Sequence, residues 1–268
     1  MFTRWEHSDY PYLYDTHVHT HEGSACGKNT AAEMVRAYKK ANYTGIIITD
    51  HFFYGNTAID RMLDWSDWVN AFCLGYEHAY EEVKKIGLNV LFGWESGYQG
   101  TEFLIYGLDK QWLLSHPEIK DATIPEQFTL VHEGGGMVIH AHPYREEPYI
   151  DTIRLFPEFV DGVEVLNACH SNSHSPSHYN VAFDQQAATY ALSHHFPVTA
   201  GSDMHHTSLF GGGMAFHHPL STIQDYITAV QIKKTYLLTN GEQTFLIFSS
   251  YSFALNTEVL SFILLPSF

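Results

Sequence analysis

Positive charge is scarce in this chain. It has 14 Lys and Arg against 30 Asp and Glu in 268 residues, a formal charge of −16. A field of that sign repels phosphate backbones, which argues against long DNA or RNA as a partner. A small anionic substrate stays possible if a bound cation reverses the field locally. Cysteine is scarce too: Cys26, Cys73 and Cys169 are odd in number, widely spaced and free of any CxxC pair. That argues against a disulfide scaffold or a thiolate zinc site and for a reducing cytosol. The opening MFTRWEHSDYPYLYD lacks the apolar core of a signal peptide, so a cytoplasmic location is expected. Long apolar runs are missing as well. The stretch 245–268 is interrupted by serines, Asn256 and Glu258, so it reads as a strand plus a tail and not as a membrane span. No Gly-rich nucleotide loop follows the first strand, which counts against an open dinucleotide-binding sheet.

What the chain has in excess is histidine, with 19 residues beside the many carboxylates. That surplus makes a metal site the first thing to look for. Hydrophobic residues at 45% and aromatics at 15% are enough for a real core and exclude global disorder. The whole of 1–268 reads as a single domain, a length that single barrels commonly have.

Short apolar runs alternate with helical patterns. The runs are Tyr12–Thr16, Gly45–Thr49, Val90–Trp94, Phe103–Tyr106, Met137–His140, Val163–Leu166, Val198–Ala200 and Tyr236–Thr239. Most lack polar alternation, as expected of strands buried on both faces of a parallel sheet. Helices are expected over Thr30–Asn42, where Thr30 and Glu33 form a capping box, and over 57–86, 125–134, 178–195 and 221–231. Seven or eight such units predict a barrel of parallel strands with outer helices.

In such a barrel the active face is the C-terminal end of the strands. The runs stop at Asp15-Thr16-His17-Val18-His19, Asp50-His51, Glu95, His140-Ala141-His142-Pro143, Asn167 and Gly201-Ser202-Asp203-Met204-His205. Nearly every run ends in a metal-ligand side chain. His17 and His19 are i, i+2 in an extended segment, so both imidazoles point one way and can share a cation. Asp203 and His205 repeat that logic, as do His140 and His142, with His142 at the rim and His140 a layer deeper. Asp50 is placed to orient a neighbouring imidazole. Glu95 is placed to bridge two cations.

These pieces resemble the PHP (polymerase and histidinol phosphatase) family. The matching motifs are Asp15-Thr-His-Val-His-Thr, Ile48-Thr-Asp-His51, Gly93-Trp-Glu95, His140-Ala-His-Pro143 and Gly201-Ser-Asp-Met-His205, in the family's order over residues 15–205. The resemblance implies a distorted (β/α)7 TIM-like barrel with two or three transition-metal ions at the strand ends, and phosphoester hydrolysis. It assigns ligand roles to His17, His19, His51, Glu95, His142, Asp203 and His205. Family members usually place an acid or histidine shortly after the HxH pair. Glu22 is the first candidate here and His21 the second. The family's histidine before a Gly turn is missing from Phe103-Leu104-Ile105-Tyr106-Gly107, so either two ions are bound or His140 or Glu102 substitutes.

Mixed imidazole and carboxylate ligands suit zinc, manganese or iron better than magnesium. Two cations sharing Glu95 would generate hydroxide from water near neutral pH. Asp203, His205 and Arg145 are the expected catalytic residues. The Arg145 guanidinium is a candidate phosphate clamp, and Lys28 is a weaker one. His170 and His174, in the polar loop 167–178, are candidate substrate contacts. The substrate expected is a small phosphomonoester or short nucleotide. Two rival readings are an amidohydrolase-type metal barrel, which also opens with HxH, and a non-catalytic metal-binding module.

Overall fold

The computed structural model describes residues 5–209, 211–233 and 235–247. They form a mixed α/β fold on one curled ten-stranded sheet. β1 (Tyr12–Val18), β2 (Gly45–Ile48) and β3 (Asn89–Tyr98) run parallel. β4 (Thr101–Tyr106) turns back antiparallel, and β5 (Met137–Ala141), β6 (Gly162–Asn167) and β7 (Val198–Gly201) resume the first direction. On the other side of β1 lie β8 (Gly213–Phe216), β9 (Tyr236–Thr239) and β10 (Thr244–Ile247), each antiparallel to its neighbour.

The curl brings β7 back to β1. Thr16 Oγ1 donates to Ala200 O at 2.8 Å, and the His19 N–H donates to Met204 O at 2.9 Å. The two motifs farthest apart in sequence thereby become neighbours.

The helices are α1 (Ala31–Lys40), α2 (Trp65–Phe72), α3 (Leu74–Ile86), α4 (Lys110–Ser115), α5 (Ile124–Glu133), α6 (Ala168–Ser171), α7 (Val181–His194) and α8 (Ile223–Thr228). The Thr30–Glu33 capping box starts α1 as expected, satisfying amide donors that the first turn leaves open. α1 then buries Met34, Val35 and Tyr38 with Leu13, Ile46 and Ile48 of the sheet. α5 buries Phe128 and Val131 in a second cluster with Trp94 and Phe103.

The regular alternation of strand and helix does not hold throughout. β3 and β4 form a hairpin whose turn residues, Gln99 and Gly100, have φ of 49° and 83°. Two positive φ values match the twist of a tight hairpin, and this local geometry makes β4 antiparallel where a barrel of parallel strands was expected. No helix joins β5 to β6, and β8, α4 and α6 were not expected, whereas β10 lies at the start of the stretch read as a strand plus a tail. Gly211-Gly212-Gly213 leads into β8. All three have positive φ, and a Cβ on Gly213 would fall on the Tyr14 carbonyl, so only glycine lets β8 approach β1. Most of the apolar stretch 245–268 lies outside the described residues. Among those described, no helix is long and apolar enough to cross a membrane, and the three cysteines are free.

Candidate metal centre

Five strand ends deliver seven side chains to one place. His17 lies in β1 and His19 just past it, with the intervening Val18 packed in the core as its alternation requires. His51 follows β2, Glu95 lies in β3, His142 follows β5, and Asp203 and His205 follow β7. Glu95 is the hub. Its carboxylate lies 3.3 Å from His17 Nε2, 3.5 Å from His19 Nε2, 2.8 Å from His51 Nδ1 and 3.2 Å from His142 Nε2. Asp203 Oδ1 lies 3.5 Å from His17 Nε2 and 3.2 Å from His19 Nε2. Within each of four triplets the donor atoms lie within 4.8 Å of one another: His19–His51–His205, His17–Glu95–His142, His17–His19–Asp203 and His51–Glu95–Glu102.

The outer faces of three imidazoles are held by acceptors. His17 Nδ1 meets Glu164 Oε1 at 3.0 Å, His19 Nδ1 meets Ser24 Oγ at 3.0 Å, and His205 Nδ1 meets the Asp203 carbonyl at 2.7 Å. Ser24 gives its own hydroxyl proton to Asp50 at 2.7 Å, so its oxygen can accept from His19. Asp50 thus orients an imidazole through a serine. With Nδ1 as the donor, each ring turns its Nε2 lone pair inward, the state a metal requires. His17 Nε2, His19 Nε2, His51 Nδ1 and Glu95 Oε2 are buried with no hydrogen-bond partner. Buried polar atoms are rarely left so, and here four of them converge. The residues present therefore fit a divalent cation of the imidazole- and carboxylate-binding class.

The electrostatics agree. Burial opposes ionising Glu95 and Asp203, yet His17 beside both, with His51 and His205, holds each well below the usual carboxylate range. Burial also opposes charging His17, but Glu164, Asp203 and Glu95 outweigh it and raise its pKa. His19 moves the other way, lowered by burial and by His205 and His51. Backbone strain sits here too: His142 and Asp203 have φ of 27° and 54°, a region non-glycine residues avoid.

The other expected residues are not among these seven side chains. Glu22 is not in these groups. It accepts from the Ala31 N–H at 2.9 Å, at the start of α1, and pairs with His78 at 3.1 Å. His21 bonds the Gly27 carbonyl. His140 is a core residue stacked on Phe103, its pKa lowered to about 3 by burial and by His142. Arg145 is buried between two carboxylates, with Asp203 at 3.0 Å and Glu102 on its other nitrogen. Lys28 lines the adjoining cavity. His170 is buried against Asp184 at 3.0 Å, and the exposed His174 meets Glu242 at 3.2 Å.

Two partners were not anticipated. Glu164 breaks an otherwise apolar strand, a signal legible in the sequence. Cys26, a cysteine without a CxxC context, lines the same cavity as His205 and His51. Burial pushes that thiol up, but the two imidazoles bring it down to about 7. If Glu164 fixes the His17 ring, Glu164→Gln should weaken metal binding about 10–100-fold, the usual loss for such an outer partner. Titration of the metal-free protein checks this, and unchanged affinity would remove Glu164 from the site.

The cluster opens onto a cavity of about 700 Å³ lined by His51, Glu102, Arg145, Asp203 and His205 among others.

The sequence matches the PHP domain family over residues 15–170, more than half of the chain. The fold is similar to that of a two-domain protein from Bacteroides vulgatus containing a predicted PHP-like metal-dependent phosphoesterase. That match has a TM-score of 0.62 at 14% identity and covers 91% of this chain and 69% of that one. A protein from Bifidobacterium adolescentis assigned as a metal-dependent phosphoesterase aligns at TM-score 0.49 and 16% identity, covering 77% and 92%. An amidohydrolase from Chromobacterium violaceum, with sulfate bound and no metal, aligns at 0.49 and 15%, covering 72% and 87%. No curated protein matches the chain in sequence.

Proposed function

The chain belongs to the PHP domain family, and from that premise we propose that it hydrolyses a small phosphomonoester with the help of two or three divalent zinc, manganese or iron ions. One observation carries the reading: buried, unpartnered imidazole nitrogens converge on Glu95 beside an open cavity. His17, His19, His51, Glu95, His142, Asp203 and His205 would hold the ions, and Glu102, which shares a donor triplet with His51 and Glu95, would join them. Bound ions would supply Lewis acidity toward phosphate oxygens and lower the pKa of a water.

The chain's own residues do the rest. Glu164, Ser24 and the Asp203 carbonyl keep three imidazoles in one tautomer. Asp203 and His205 face the cavity from the strand end, and Arg145 anchors Asp203 while lining the same cavity. Its guanidinium reaches phosphate by sharing itself with these carboxylates.

A small substrate fits the distribution of cations. Lys39 and Lys40 end α1, and Lys84 and Lys85 end α3. Those helix ends lead back into β2 and β3, opposite the cluster. Lys39 bonds the Gly87 carbonyl, while Lys84 and Lys85 pair with Glu81 and Glu82. No basic track for a polymer runs through these pairs.

The test is metal analysis of the purified protein alongside a panel of phosphomonoesters with manganese or zinc. Bound metal with turnover of a monoester supports the reading. Salt-sensitive digestion of long DNA without monoester turnover overturns it, as does a metal-loaded protein active only on acyl bonds or on nothing. Arg145→Ala should raise KM for the monoester about tenfold or more, the loss expected for a charge-assisted hydrogen bond. It should lower metal content less than it raises KM, and the reverse order would make Arg145 a support of the ligands alone.

A further inference from the structure

The cavity beside the metal centre has an aromatic rim that phosphate binding does not require. Tyr54, Tyr98 and Tyr149 line it from three separate segments and are 63%, 39% and 64% exposed. Tyr14, Tyr38 and Tyr106, by contrast, are fully buried. One exposed tyrosine is ordinary; three converging on one cavity call for a reason.

Glycines bring them together. Tyr54 precedes Gly55 and Tyr98 follows Gly97, and a Cβ on Gly97 would lie 3.1 Å from Gly55 Cα. The loop after His51 and the end of β3 therefore touch backbone to backbone, each with a tyrosine next to the contact. Across the hairpin turn, a Cβ on Gly100 would lie 2.7 Å from Ile150, the residue after Tyr149. Tyr98 is steadied edge-on by Phe156, with ring centroids 6.2 Å apart.

The volume also exceeds what a phosphate group needs. About 700 Å³ lies in the range of pockets that enclose a whole small molecule. Lys28 and Arg145 are the only Lys or Arg among the described lining residues, and Arg145 is already paired. Beyond Lys28 a second anionic group on the substrate finds little to bind, whereas a flat neutral ring meets three exposed tyrosines.

We propose that Tyr54, Tyr98 and Tyr149 form the leaving-group subsite and select phosphomonoesters whose alcohol carries a planar aromatic ring. This rests on the phosphomonoesterase reading above. In the reaction, water oxygen bonds to phosphorus and the bond from phosphorus to the alcohol oxygen breaks. The alcohol leaves with a proton, and inorganic phosphate remains.

The test compares 2-phenylethyl phosphate with butyl phosphate on the manganese-loaded full chain. Both release primary alcohols, so a difference reports the ring and not leaving-group acidity. A preference of about tenfold or more for the aromatic ester, carried by KM, is expected from stacking on tyrosine. Tyr54→Ala, Tyr98→Ala and Tyr149→Ala should each reduce that preference about fivefold, and the Tyr→Phe variants should keep it. Equal kcat/KM for the two esters, or a preference that survives all three alanine variants, overturns the proposal and leaves the phosphomonoesterase reading standing. If neither ester turns over, the phosphomonoesterase reading fails, and calorimetric binding of the same two esters judges the rim. Tighter binding of the aromatic ester, lost in the alanine variants, supports the subsite; equal binding overturns it.

Discussion

His17→Ala is expected to lower kcat/KM for a phosphomonoester on the order of 10³-fold, the several kcal/mol attributed to metal-ion stabilisation of the transition state. His17 Nε2 lies 3.3 Å from Glu95 and 3.5 Å from Asp203, at the junction of two of the donor triplets. Its loss opens both. It also strips Glu164 of its imidazole partner, although the Asn167 side chain still donates to that carboxylate at 3.0 Å. Some loss of thermal stability is therefore expected, because a buried carboxylate loses part of its compensation. His19→Ala is the companion variant, since Asp50 keeps Ser24 and the Thr20 donors. Elemental analysis with kcat/KM, and circular dichroism to verify folding, decides the matter. If both variants retain full metal and full rate, the metal centre is elsewhere.

Glu95→Gln should have an effect of the same order, for a different reason. The substitution preserves size and removes charge at a carboxylate that lies within 3.5 Å of four imidazoles. A neutral amide cannot bridge two cations, so metal stoichiometry should fall together with turnover, by about 10³-fold in kcat. Unchanged stoichiometry with only a raised KM would make Glu95 a pocket residue.

These three variants test residues that were legible in the sequence. His17, His19 and Glu95 stand at the ends of apolar runs, and the two-residue period of a strand fixes which side chains point together. The same local rule places Asp203 and His205. It does not reach Glu22, a candidate that came from the family resemblance. The chain turns there, and the carboxylate goes to the start of α1 and to His78. It fails for Arg145 in part: its position three residues past His142 is legible, its two carboxylate partners are not.

By itself, the sequence determined the strand runs, the first helix cap and the list of potential ligands, because each depends on residues a few positions apart. Only the tertiary structure decided how those ligands are held. Glu164 is 147 residues from His17, and Arg145 is 58 from Asp203. Such pairs meet only once the sheet has curled and β7 lies beside β1. The β3–β4 hairpin is likewise a matter of backbone twist at Gln99 and Gly100, which hydrophobic periodicity does not encode. That hairpin puts Glu102 and Tyr98 on the cavity, where the pattern predicted a sheet of parallel strands only.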